Sequence, residues 1–314
     1  MISDRISRNI NRFLPEARAI LSRLESRLIR WRVPVLIGSL ILFCAGAYWS
    51  LRTVDLSLSG LRSLPLFLLA VSVLPSLMHG GVAMWLLARS AGRSLSVVKG
   101  TVVSSYAYLA ELLPLPGGAL VRAGALLRAG ATIGRSSALV VLTAILCLAL
   151  AMVMAALTLL PLSFALAFPL LVLGSFTSVA VTAWLWSTAG PAVALQTLVH
   201  RVLGIFLTAL RLNFAFAALH ISTGFAGTFP FVLAILLGSA SSFAPAGLGV
   251  SEALAALAAT VTKIPPAIAF LAVGIDRLFC IAGCGIVVLI SQLGARRGRG
   301  ETVPARQGEL GSNG

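Results

Sequence analysis

Charge is what this chain has least of. Only 11% of its 314 residues are Asp, Glu, Lys or Arg, where a water-soluble domain carries about 25%. One or two soluble domains of this length could not cover their surfaces with so few. With 59% hydrophobic residues and a mean hydropathy of +1.01, apolar area exceeds what a globule can hide, and lipid must take the remainder. Acidic residues are the scarcest: nine Asp+Glu stand against 24 Lys+Arg, a net charge of +15, and all but two of the bases are arginine. Basic chains that bind nucleic acid carry their charge on a polar, soluble domain. Here the bases fall in tails and short loops between apolar runs, which excludes nucleic acid as a partner and matches the positive-inside pattern of membrane proteins.

Cysteine and histidine are also few. Cys44, Cys147, Cys280 and Cys284 all lie in apolar segments. Cys280 and Cys284 are one helical turn apart, but no His or acidic residue completes a metal set at the required spacing. They read as small packing residues, with no disulfide framework, metal or cofactor implied. His79, His200 and His220 are scattered, and His79 beside Gly80-Gly81 reads as a packed polar residue. No Ser-His-Asp set, phosphate-binding loop or dinucleotide glycine motif is present. A membrane-embedded transferase would have only Glu111, Glu252 and Asp276 as general bases, so an enzyme is not the expected reading.

What is abundant is the long apolar run. Residues 1–32 hold eight Arg, with Ile6, Ile10, Phe13, Ala17, Leu21, Leu24 and Leu28 at three- and four-residue steps. That is the stripe of a basic amphipathic helix lying on a membrane surface. Apolar spans follow at about 33–50, 64–88, 136–160, 164–186, 202–224 and 266–292, each long enough for a transmembrane helix. Residues 295–314 form a Gly-, Arg- and polar-rich tail, expected to be disordered and cytoplasmic. With both termini cytoplasmic, nineteen bases fall inside, counting Arg201, and Arg52, Arg62 and Lys263 outside. The flipped arrangement would violate the positive-inside rule.

Two apolar segments are broken. The first reads Glu111-Leu112-Leu113-Pro114-Leu115-Pro116-Gly117-Gly118, resuming to Arg122; the second reads Pro245-Ala246-Gly247-Leu248-Gly249-Val250-Ser251-Glu252. Proline removes a backbone donor and glycine loosens the helix, so each run divides into two half-helices. Such breaks persist at membrane depth only inside protein or beside a water-filled cavity, and paired broken segments point to a transport site. Three full spans flank each break, in halves of about 33–160 and 164–292. An odd number of crossings turns the second half upside down. The expected fold is an all-α polytopic membrane protein: six full crossings plus two re-entrant half-helix hairpins in an inverted repeat, about eight apolar segments in all. One hairpin, at about 100–118, enters from the cytoplasm and the other, at about 230–262, from outside. The alternative is that the breaks merely kink ordinary crossing helices.

Leu113-Pro114-x-Pro116-Gly117-Gly118-(x)3-Arg122 and Pro245-x-Gly247-Leu248-Gly249-Val250-x-Glu252 resemble the membrane domain of lysylphosphatidylglycerol synthases, also called the flippase-like domain. The resemblance covers about residues 30–294, so 33–294 reads as one flippase-like transmembrane domain. The second motif is the more specific; Ala110 and Glu111 stand where the family often carries Asn. The resemblance implies a bacterial inner-membrane protein that transports or flips a membrane lipid: an anionic phospholipid, a polyprenyl-linked or a hopanoid-type lipid. Members that aminoacylate lipid carry a large soluble synthase domain after the membrane part, and this chain stops about 20 residues after its last span, so synthase activity is not expected. The alternative function is a non-catalytic accessory subunit for a lipid-modifying enzyme or glycosyltransferase, its enzyme partner.

Charges within the bilayer cost about 2.5–3.5 kcal/mol each on insertion scales and default to functional hypotheses. Glu111 and Arg122 flank the first break and Glu252 follows the second; Arg211 with Asn213 nearby, and Asp276 with Arg277, sit within spans. Three charges of each sign could pair in one buried cluster, with Arg122, Arg211, Glu252 and Asp276 sharing a cavity. Static helix-locking pairs are the competing reading, and Arg122 can also serve as a plain positive-inside residue. A guanidinium fork suits a lipid phosphate. The substrate-binding candidates are therefore these charges, Asn213, and the break residues Pro116, Gly118, Pro245, Gly247 and Gly249.

Overall fold

The computed structural model describes residue 34 and residues 37–54, 60–112, 117–240 and 247–300, with side chains to 294. The amphipathic helix expected at 1–32 and the candidates Pro116 and Pro245 lie outside the described residues.

The described residues form ten α-helices: α1 (Ile37–Val54), α2 (Ser63–Ser90), α3 (Val97–Ala110), α4 (Gly117–Arg128), α5 (Ile133–Leu159), α6 (Phe164–Ala189), α7 (Pro191–Ala218), α8 (Phe229–Ala240), α9 (Val250–Thr262) and α10 (Pro266–Gly300). Among them α1, α2, α5, α6, α7 and α10 are long and apolar enough to cross a membrane. The protein is an all-α polytopic membrane protein. The four remaining helices have 14, 12, 12 and 13 residues, about 18–21 Å each at 1.5 Å per residue, too short to cross about 30 Å of hydrocarbon.

The order of lengths repeats. Two long helices, two short and one long make up α1–α5, and the same order makes up α6–α10. Each short pair turns back within the bundle, so three crossings per half reverse the second half's direction.

Hydrogen bonds tie the ends together by face. On one face Arg135 at the start of α5 donates to the Ser90 carbonyl at 2.8 Å and the Thr188 carbonyl at 3.3 Å, and Arg89 donates to Gln196 at 3.1 Å. On the opposite face the Arg62 amide donates to the Ala218 carbonyl at 3.1 Å, His220 Nε2 to the Gly60 carbonyl at 2.8 Å, and Thr158 to the Ala226 carbonyl at 3.1 Å. The pair α3–α4 opens from the first, basic face and α8–α9 from the second.

Local chemistry sets the boundaries. Ser96 and Thr132 accept from the amides of Lys99 and Arg135, capping α3 and α5 at the helix start where donors lack partners. Gly190, at φ 89°, ends α6 and leaves Pro191 as the first residue of α7, where a missing N–H costs nothing. Helix α2 meets α3 where Gly81 faces Gly100: a Cβ on either would run into the other helix's backbone. Such small-residue contacts let membrane helices approach closely. The buried centre is Leu-, Ala- and Phe-rich, including Leu69, Leu146, Leu212, Phe216 and Phe231, while Phe67, Phe168 and Phe176 face outward.

Several boundaries differ from the sequence reading. The first hairpin continues through α4 to Arg128, ten residues past the expected 118, so Arg122 lies within it and not in the following loop. Helix α7 begins at Pro191, eleven residues before the expected 202, because its first turns bury Thr197 and His200 and so read as polar though they are inside the bundle. Arg201 is therefore a mid-helix residue and not a loop base. Helix α10 continues to Gly300, past the expected end at 292 and into the tail; residues 301–314 lie outside the description.

Candidate functional site

The site is built around two consecutive residues of α10. Asp276 and Arg277 are 3% and 5% exposed, on a helix otherwise lined by Ile268, Ala272 and Val273. Asp276 accepts from Arg211 of α7 through two bonds: Nε to Oδ1 at 2.8 Å and Nη2 to Oδ2 at 3.2 Å. The third guanidinium nitrogen, Nη1, donates to Ser76 of α2 at 2.7 Å, and the Ser76 hydroxyl donates in turn to the Ser72 carbonyl at 3.1 Å. Planar guanidinium and carboxylate match as a fork, whose two charge-assisted bonds are each about twice as strong as a neutral one.

Arg277 turns to the second hairpin. Its Nη2 donates to Ser251 at 2.7 Å and its Nη1 lies 3.2 Å from Glu252 Oε1. That last contact is an ion pair without hydrogen-bond alignment, for both atoms lack a hydrogen-bond partner. Glu252 is fully buried and uses its other oxygen, Oε2, to accept from the Gly249 amide at 2.7 Å. This is the carboxylate half of a capping box, closing the first turn of α9. The turn into α9 needs glycine twice. Gly247 and Gly249 have φ of 67° and 80°, and a Cβ on Gly247 would run into the Gly238 carbonyl of α8.

The first hairpin carries its own pair. Glu111, at the end of α3, meets Arg122 of α4 at 3.0 Å, with side chains 23% and 31% exposed. Gly118 makes room, since a Cβ there would strike the Glu111 carboxyl group.

The structure thus resolves the six predicted charges into three pairs and not one cluster. Arg211, Asp276, Arg277 and Glu252 adjoin along α10, as expected. Arg122 does not join them. Glu111, across the same hairpin, supplies a nearer carboxylate, so the pair closes locally. Between the sets a face of α3 meets α10, with Tyr108 beside Cys280 and Ser105 beside Cys284. Gln292 donates to the Tyr106 hydroxyl at 3.2 Å. Asn213 is partly buried two residues from Arg211 and takes no part in the network.

Sequence reasoning missed two groups. His79 of α2 and His200 of α7 stack with centroids 3.7 Å apart and planes 9° from parallel. His79 Nε2 donates to the His200 carbonyl at 2.9 Å, which assigns the proton to that nitrogen because a carbonyl only accepts. The second group is Arg201, one residue further along α7. Its signal was present in the sequence as a lone base between apolar stretches, but the helix start was misplaced. Among the described residues no three His, Cys, Asp or Glu side chains gather closely enough to hold a metal ion.

No family model and no curated protein matches the chain. The site is therefore read from its own chemistry: buried guanidinium groups paired with carboxylates at the ends of half-helices.

Proposed function

We propose that this chain is a lipid transporter of the flippase-like kind, carrying the headgroup of an anionic phospholipid, a polyprenyl-linked or a hopanoid-type lipid past the middle of a bacterial inner membrane, with both termini cytoplasmic. The observation that carries this reading is the pair of half-helix hairpins opening from opposite faces, each with a guanidinium–carboxylate pair beside its break. A phosphate is a competing partner for a guanidinium already held near a carboxylate. Half-helix ends add backbone groups that can bind polar substrates at membrane depth. The Glu111–Arg122 pair is the more open one and is the natural first contact for a headgroup from the basic face, whose Arg89, Arg93, Arg128 and Arg135 attract anionic lipid.

The test is lipid movement in vesicles of phosphatidylcholine and phosphatidylglycerol holding the purified protein and a trace of fluorescent lipid. A membrane-impermeant reductant bleaches the outer leaflet alone unless lipid crosses. Wild-type vesicles should bleach beyond the outer leaflet, and Arg122→Gln vesicles should fall towards the protein-free level with equal protein inserted. Bleaching confined to the outer leaflet for wild type would overturn the reading and favour an accessory subunit of a lipid-modifying enzyme.

A further inference from the structure

Three acidic residues lie among the described residues, Glu111, Glu252 and Asp276, and each is already paired with an arginine. Four arginines lie within the bundle's helices at depth: Arg122, Arg211, Arg277 and Arg201. Among the described residues the fourth has no carboxylate left to meet. Arg201 is ten residues into α7, about 15 Å along its axis and within a helix long enough to cross a membrane. The titratable groups near it are the Cys147 thiol of α5, the His79 and His200 rings, and another cation, Arg122 of α4. Its Nε is sealed from solvent with no hydrogen-bond partner, while its terminal nitrogens keep some exposure and make no hydrogen bond to a described residue.

A second observation lies beside it. His200 is 8% exposed, and its Nε2 is buried without a partner. Both side chains line one crevice between α2, α5 and α7, of about 200 Å³ counting its open mouth, together with Ser90, Thr143 and Thr197. Thr143 and Thr197 donate to carbonyls of their own helices, so their hydroxyl oxygens face the crevice as dipoles, not as free donors. At the basic end Arg135 holds the Ser90 carbonyl and Arg89 holds Gln196, so the way in is bordered by positive charge. A buried, unpaired cation is costly, and a cationic fork beside an imidazole whose Nε2 carries the ring proton, the tautomer the site requires, matches a phosphate oxyanion.

We infer that Arg201 and His200 form a binding site for a phosphate oxyanion, separate from the three ion pairs and independent of whether the chain moves lipid. The walls stand too close for a water molecule in this conformation. An oxyanion therefore enters by displacing the Arg201 side chain, whose tip is already open. The phosphate is that of a phospholipid headgroup or a free phosphate ion, since both offer the same oxygens.

The experiment uses the full chain in dodecyl maltoside, which carries no phosphate, and follows melting temperature against inorganic phosphate and, separately, short-chain phosphatidylglycerol, with chloride holding ionic strength. Wild type should be stabilised in a saturable way by one or both; response to phosphatidylglycerol alone assigns a headgroup site, and response to both a general phosphate site. Arg201→Gln should raise the half-saturating concentration at least about tenfold, as loss of a charged hydrogen-bond donor does. Without ligand it should melt no lower than wild type, since no carboxylate is orphaned. If Arg201→Gln does not purify, Arg201→Lys decides by the same titration, with weaker binding expected because the fork is lost. Half-saturation unchanged from wild type in the variant, or no saturable response of wild type to either ligand, overturns the inference.

Discussion

Arg211 and Asp276 lie 65 positions apart and meet through two hydrogen bonds, both side chains buried between α7 and α10. Removing one partner leaves the other charged, buried and alone, which costs about 3–5 kcal/mol. Arg211→Gln and Asp276→Asn should each lower the melting temperature markedly, and Arg211→Gln with Asp276→Asn together should recover most of the loss. A double variant as unstable as the singles would show that the residues act separately. Following melting temperature across these variants and wild type measures the coupling directly.

The second hairpin tip supplies an internal control. Gly247→Ala should be the more damaging of two alanine substitutions, because it combines a left-handed backbone with overlap on the Gly238 carbonyl. Gly249→Ala also places a side chain at positive φ, but its Cβ meets only the flexible Leu42 side chain at 3.3 Å. Comparing expression and melting temperature of the two ranks them.

The histidine stack predicts a rescue. A Cβ on Gly204 would fall 2.5 Å from His79 Cε1, so Gly204→Ala should displace the ring and destabilise the α2–α7 contact. Adding His79→Ala removes the obstructing ring and should restore part of the loss. Additive losses in the double variant would place the damage of Gly204→Ala somewhere other than the stack.

Orientation is tested by labelling single cysteines on a cysteine-free background. Gly124→Cys on α4 points into open space and should react with a membrane-impermeant thiol reagent from the basic face, the cytoplasmic one in the proposed orientation. Lys263→Cys, at the end of α9, should react from the opposite face. Reaction of both from one face is incompatible with hairpins of opposite entry.

Much of this arrangement was legible in the sequence because membrane depth makes few demands on a chain and enforces them strictly. The Pro114–Gly118 and Pro245–Gly249 breaks stand out against apolar surroundings, and α3–α4 and α8–α9 fall on either side of them. That buried charges of opposite sign would meet followed from the cost of leaving either alone, though the sequence did not say which carboxylate Arg211 takes. The start of α7 was not legible, because an averaged hydropathy cannot tell a polar side chain facing water from one facing a neighbouring helix. Thr197, His200 and Arg201 are of the second kind. Nor could the 121 positions between His79 and His200 suggest a stack, since no local pattern encodes which face of α2 meets which face of α7. The choice of Glu111 as the partner of Arg122 is a matter of proximity within one hairpin, where charge complementarity alone left three carboxylates open.

Successive residues on an α-helix project about 100° apart, so Asp276 and Arg277 grip α10 from two sides, one towards α7 and the other towards the tip of α9. The bases at the helix ends and in the tails orient the chain in the bilayer, but this two-sided grip governs how α10 can move afterwards. Turning α10 about its own axis breaks both contacts in the same motion, and neither can relax while the other holds. The helix has a detent: it stays put or it releases at once, and a displacement that spares both contacts must carry α7 and the second hairpin along as a single block.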